Sequence, residues 1–194
     1  MSLVISNLKK RFGDKVIFDG FSYSFPEKGL FLIRGNSGIG KTTLLRIIAG
    51  LDNSYSGTVK GGGYKNVSYA FQEYRLFPTL TARENVTVAS FDTVTSTLEE
   101  AASLLFREFG LSESDLALLP SELSGGMKQR ISLIRAILKK SKILLLDEPT
   151  KELDPELAYT VRKRIQLEAK ERLVIMVSHL EDGEILDEYT ELRI

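Results

Sequence analysis

Four short apolar, β-rich runs recur along the chain, and each stops at a polar residue able to do chemistry. Leu30 to Ile33 leads into a glycine-rich loop, and Val67 to Phe71 stops at Gln72. Ile143 to Leu146 stops at Asp147 and Glu148, and Leu173 to Val177 stops at Ser178 and His179. Uninterrupted apolar runs are the pattern of strands covered on both faces, which predicts an α/β fold with a mainly parallel sheet. Ligands in such sheets bind beyond the carboxyl ends of the strands, so the four polar ends are expected to line one crevice. Leu3 to Phe25 alternates instead between apolar and polar around the turn Phe12-Gly13-Asp14-Lys15, predicting antiparallel strands beside the main sheet.

Helical spacing appears in Leu44 to Ala49, stopped by Gly50, in Leu98 to Leu111, and after Ser124 at Met127, Ile131, Ile134 and Leu138. From Glu73 to Glu122 no long buried strand appears and Pro78 and Pro120 punctuate the chain. The expected organisation is one domain: residues 1–72 and 124–194 form the core with its antiparallel β part, and 73–123 form a helical insertion. Gly61-Gly62-Gly63 is expected to be a turn or hairpin tip. Arg162-Lys163-Arg164, with Glu168 and Glu171 nearby, is expected to be a solvated helix face.

Two segments predict anion sites. Gly35-Asn36-Ser37-Gly38-Ile39-Gly40-Lys41-Thr42-Thr43 matches the phosphate-binding pattern G-x-x-x-x-G-K-[ST], with a strand before it and a helix after it as the pattern requires. Its glycines let backbone N–H groups turn inward around phosphates, Lys41 neutralises the terminal oxygens, and the Thr42 hydroxyl can ligate Mg²⁺. In Leu123-Ser124-Gly125-Gly126-Met127-Lys128-Gln129-Arg130, Ser124 caps a helix whose first turn holds no acid against the positive end of the dipole. An anion is therefore expected from elsewhere. Asp147 and Glu148 supply the acid near Mg²⁺ and the base near water that phosphoryl transfer needs.

Composition narrows the partners. Lys plus Arg and Asp plus Glu stand at 26 each, so no global field favours a polyanion, and nucleic acid is not an expected partner. The absence of cysteine excludes disulfides and thiolate metal sites. No apolar run approaches the ~18–20 residues of a membrane span, and Met1-Ser2-Leu3-Val4 does not open a signal peptide. A cytoplasmic protein is expected.

Together, GNSGIGKTT, FQE, LSGGMKQR, ILLLDEPT, ELD and a late SH, in that order over nearly the whole chain, resemble the nucleotide-binding subunit of ATP-binding cassette transporters. The resemblance implies a phosphate-loop NTPase fold with a RecA-like sheet, ATP and Mg²⁺ as ligands, and ATP hydrolysis as the activity. It implies that Phe12 stacks on adenine and that Gln72 touches Mg²⁺ and the attacking water. Asp147 would hold Mg²⁺ through water, Glu148 would polarise the water, and His179 would contact the γ-phosphate. Ser124, Gly125 and Gly126 would contact ATP bound to an opposing copy, and Asp154 would bridge the two subunits. The implied partners are a second nucleotide-binding subunit, as a head-to-tail homodimer, and a separate integral membrane permease, with this chain peripheral on the cytoplasmic face of the membrane.

Where the family often has Ser-Ala-Leu-Asp, this chain has Lys151-Glu152-Leu153-Asp154. FQEYRLFPTLTARENV and the Met-Lys-Gln-Arg end of the signature look like importer ATPases for nitrate, sulfonate or taurine. Tyr74, Leu76, Phe77 and Pro78 read as an exposed apolar knob suited to the permease. The alternative is a non-transport ATPase of the same family acting as a soluble mechanical clamp or regulator. The repair type of clamp requires a long heptad coiled coil that this sequence lacks.

Overall fold

The computed structural model describes residues 2–88, 96–178 and 188–194. Their strands form two sheets. Strand β1 (Leu3–Phe12) turns at Gly13 and Asp14 into β2 (Lys15–Phe25), and both pair antiparallel in a three-stranded sheet of order β2-β1-β4, where β4 is Ser56–Lys60. The predicted turn is the observed one. The main sheet is parallel, of order β5-β6-β7-β3-β8, formed by β3 (Gly29–Arg34), β5 (Val67–Ala70), β6 (Ile143–Asp147), β7 (Leu173–Val177) and β8 (Thr190–Arg193).

Alternation within three of the runs explains why they needed no polar residue, while in the fourth, β5, the buried Ser68 pairs with Ser141. In β3, Leu30 and Leu32 face one core while Phe31 and Ile33 face the other. In β6, Leu144 and Leu146 face the first, and Ile143 and Leu145 the second. Strand β7 divides likewise, with Val174 and Met176 against Leu173, Ile175 and Val177. Successive side chains of a strand point to opposite faces, so a strand buried on both sides must be apolar throughout.

Helix α1 (Lys41–Ile48) and the small sheet cover the second face. The first is covered by α2 (Ala82–Thr87), α3 (Ser96–Glu108), α4 (Glu113–Leu116), α5 (Gly125–Leu138) and α6 (Pro155–Glu171). Between Glu73 and Glu122 the described residues contain helices, a 3-10 turn at Pro120–Glu122 and no strand.

Register fixes the crevice. Ile33 pairs with Val177, Val177 with Asp147, and Leu146 with Ala70, so four neighbouring strands end along one edge of the sheet.

Three expectations need adjustment. Gly61 to Gly63 leads into a turn closed by Asn66 N–H to Gly63 O, one of the two expected readings, and is not a hairpin tip: it joins β4 of one sheet to β5 of the other, and Gly63 N–H donates to Ile48 O at the end of α1. Arg162 is buried and Arg164 clasps Glu108 of α3, so the basic triplet is only partly a solvated face. In the apolar knob only Phe77 and Pro78 are exposed; Leu76 packs on the core and Tyr74 is half-buried. Strand β8 has no counterpart among the predicted elements; it pairs parallel with β3 at the edge of the sheet.

Candidate nucleotide site

The glycine-rich loop leaves β3 and enters α1, whose N-cap is Gly40 with φ 122°. A Cβ there would lie 2.5 Å from Ile17 Cγ2, so packing as well as backbone angle demands glycine. The first turn of α1 holds no acid, which leaves its N–H groups available to an anion. Lys41 Nζ folds back on the loop, donating to Gly35 O at 2.7 Å and Asn36 O at 3.0 Å. Lys15 Nζ reaches the same loop from β2, 3.1 Å from Gly38 O.

Asp147, at the end of β6, is only 2% exposed. Tyr69 Oη donates to Oδ2 at 3.2 Å, while Oδ1 has no hydrogen-bond partner of good geometry. Burial pushes its carboxyl above the ordinary range, against hydrogen bonding from Thr42 and Tyr69 and the charge of Lys41, and Glu148 pushes it further up. Burial and the Asp147 charge push the Tyr69 phenol up, so it stays a donor. A buried carboxylate oxygen without a well-formed hydrogen bond, on the side chain that interacts with the Thr42 hydroxyl, fits Mg²⁺, which takes one or two protein oxygens and completes its shell with water and phosphate.

Glu148 adopts φ 52°, a left-handed conformation that a non-glycine residue enters at a cost of about 1–2 kcal/mol. Its N–H donates to Val177 O at 2.9 Å and its carbonyl accepts from Gln129 Nε2 at 2.8 Å. The strained residue is thus gripped on both sides. Its carboxylate Oε2 accepts from Gln72 Nε2 at 3.3 Å and pairs with Lys151 Nζ at 3.1 Å. Hydrogen bonding to Glu148 holds the Lys151 ammonium above the ordinary lysine range.

Phe12 stands at the end of β1 with 53% of its surface exposed. Lys10, only 4% exposed, lies two residues away with its ammonium 4.6 Å from the Phe12 ring centre. That ammonium is fixed by Asp52, at 2.7 and 2.8 Å, and by Ser54 O at 2.8 Å. One ring face is thereby backed by a cation, a polarising support for a flat ligand on an exposed aromatic.

Ser124 caps α5 as expected, accepting from Met127 N–H at 3.2 Å. Arg130 is not available to an anion there: it donates to Gly126 O, Phe109 O and Gly110 O, the last two at the end of α3. Asp154 caps α6 through Leu157 N–H at 3.0 Å.

The structure therefore brings Lys41, Thr42, Gln72, Asp147 and Glu148 to one edge, with Ser37, Ile39 and Thr43 in the connecting loop and first turn. Ser124, Gly125 and Gly126 make their contacts elsewhere, with Met127, Tyr74 and the Lys151–Asp154 loop. His179 lies outside the described residues. Among the described residues no helix is long and apolar enough to cross a membrane.

A family profile described as ABC transporter matches residues 18–151, from β2 through the acidic pair. The chain belongs to the ABC transporter family. Among its relatives, the sulfate/thiosulfate import ATP-binding protein CysA of Burkholderia mallei is 38% identical over 185 residues, covering 86% of this chain and 50% of the relative. The Fe(3+) ions import ATP-binding protein FbpC of Agrobacterium fabrum is 36% identical, covering 93% and 55%. The aliphatic sulfonates import ATP-binding protein SsuB of Corynebacterium glutamicum is 41% identical over 152 residues, covering 77% and 61%. The chain thus spans about half the length of the first two of these curated relatives. The bacterial ABC transporter cassette MJ0796, solved as a dimer, superimposes with a TM-score of 0.84 over 98% of this chain and 94% of that one, at 24% identity. The fold is that of an ABC cassette.

Within this ABC cassette, sequence reasoning missed Gln129, Lys10 and Tyr69. Gln129 is 7% exposed and bridges two segments, donating to Glu148 O and accepting from Glu152 N–H at 2.8 Å. A polar residue in the buried stripe of α5 was the available signal.

Proposed function

We propose that this chain is the ATP-binding and ATP-hydrolysing subunit of an ABC transporter of the import type, working as a head-to-tail homodimer around two ATP on the cytoplasmic face of a separate membrane permease. The observation that carries the reading is the convergence of Lys41, Thr42, Asp147, Glu148 and Gln72 at the carboxyl edge of adjacent parallel strands. The import direction rests on relatives named as import ATP-binding proteins.

Adenine stacks on the outer face of Phe12, and the phosphates lie along the N–H groups that open α1. Lys41 exchanges the Gly35 and Asn36 carbonyls for phosphate oxygens, a swap its ring of loop acceptors prepares. Thr42 and Asp147 would hold Mg²⁺, with Gln72 beside them, and the ion would neutralise charge on the phosphates. Glu148 orients the attacking water and takes its proton as the bond from γ-phosphorus to the bridging oxygen breaks, giving ADP and phosphate. Gln72, bonded to that carboxylate and followed by the exposed Phe77 and Pro78, couples site and permease. His179 is assigned to the γ-phosphate by resemblance alone. Ser124, Gly125 and Gly126 complete the partner's site, and Asp154 lies at the seam.

The test is Mg²⁺-dependent ATP turnover with bound nucleotide measured in parallel. Glu148→Gln should bind ATP like wild type and turn over at least about 100-fold more slowly, whereas Lys41→Ala should lose binding. Wild-type turnover in Glu148→Gln would remove the assigned base.

A further inference from the structure

Lys151 and Glu152, the two residues that depart from the usual Ser-Ala of this loop, each touch a different half of the site. Lys151 Nζ lies 3.1 Å from Glu148 Oε2, the same oxygen that accepts from Gln72. Glu152 stands at the start of α5: a Cβ on Gly125 would lie 3.3 Å from Glu152 Oε2 and 3.2 Å from Tyr74 Oη, and one on Gly126 would lie 3.0 Å from Glu152 O. Glu152 N–H is fixed by Gln129, which also holds the Glu148 carbonyl, so one buried side chain sets both contacts. The first turn of α5 has no acid of its own, and the Glu152 carboxylate supplies that charge from the neighbouring loop.

We propose that Lys151 and Glu152 are positioning residues that keep the two halves of the ATPase site in a resting arrangement, Lys151 by engaging the carboxylate of Glu148 and Glu152 by covering Gly125. This rests on the two-chain reading above. Lys151 and Gln72 both occupy Oε2 of Glu148, the oxygen that would otherwise accept from water, so that acceptor is open to water only when Lys151 withdraws. A γ-phosphate arriving at Gly125 on an opposing copy meets a like charge and the Tyr74 hydroxyl, so closure requires this loop to shift. The two effects separate experimentally, because one acts on turnover and the other on association.

Sedimentation velocity with Mg²⁺ and ATP is compared for Glu148→Gln and for Glu148→Gln carrying Glu152→Gln. Turnover and KM are compared for wild type, Lys151→Met and Lys151→Arg. The expected results are a dimerisation midpoint lowered about three- to fivefold by Glu152→Gln, the weight of one charge at a helix N-terminus, and kcat raised about two- to fivefold in Lys151→Met, at unchanged KM and with Lys151→Arg at the wild-type rate. A lowered kcat in Lys151→Met, or an unmoved midpoint in the double variant, overturns the proposal. Glu148→Gln remaining monomeric at every concentration fails the two-chain reading itself and takes the proposal with it.

Discussion

Replacing Gln129 by Met keeps the length and volume of the side chain while removing both of its hydrogen-bonding ends. Two bonds of 2.8 Å are lost, one to Glu148 O and one from Glu152 N–H, in a position only 7% exposed. Each is worth about 0.5–1.5 kcal/mol net, and a stranded buried partner adds to that, so the loss is about 2–3 kcal/mol. For a chain of this size that lowers the melting temperature by roughly 5–10 °C. The larger consequence is at Glu148, whose φ of 52° is held from one side by Val177 O and from the other by Gln129. Once released on one side, the strained residue relaxes and carries its carboxylate away from the crevice. A displacement of about 1 Å costs on the order of 100-fold in rate, so kcat should fall by about 10- to 100-fold while KM for ATP stays put. Thermal melts and steady-state turnover on the purified chain read both. A Gln129→Met protein that melts within about 1 °C of wild type and keeps its kcat would falsify the claim that this side chain holds the base.

Phe12→Ala should weaken ATP binding about tenfold or more, the scale of one base–aromatic stack, while Phe12→Tyr should retain it; equilibrium titration with a fluorescent nucleotide reads the difference. In Asp52, burial alone would raise the carboxyl, but hydrogen bonds from Lys10 and Ser54 and the Lys10 charge bring it below the usual carboxylate range. A depressed native pKa stabilises the fold above the unfolded value near ~4, and that contribution is lost as pH falls from there through the native pKa. Asp52→Asn should therefore cost about 1–2 kcal/mol at neutral pH and flatten the fall in urea stability below about pH 4.

Legibility from sequence followed the range of the interaction. The four apolar runs, the antiparallel opening and the glycine-rich loop are local patterns, and the structure places them where periodicity put them. The crevice followed from strand ends, because parallel register aligns them. What stayed hidden depends on contacts across long separations. Gln129 reaches Glu148 from another element, Lys10 reaches Asp52 over 42 positions, and Tyr69 reaches Asp147 over 78. Tyr74 and Leu76 read as exposed because loop position says nothing about which core a side chain can reach. Strand β8 is short and mostly polar, with only Leu192 buried, so its pattern is too weak to separate from a loop.

The central claim is that ATP brings two copies together through Ser124, Gly125 and Gly126. Light scattering on Glu148→Gln with saturating ATP and Mg²⁺ tests it most directly. The account predicts a species of roughly 43 kDa, twice the 21.7 kDa chain, that reverts to a monomer when ATP is removed and fails to form in Glu148→Gln carrying Ser124→Arg. A nucleotide-loaded Glu148→Gln that stays at 21.7 kDa, beside a wild-type rate strictly linear in protein concentration, would contradict it and leave a phosphate-loop hydrolase that works alone.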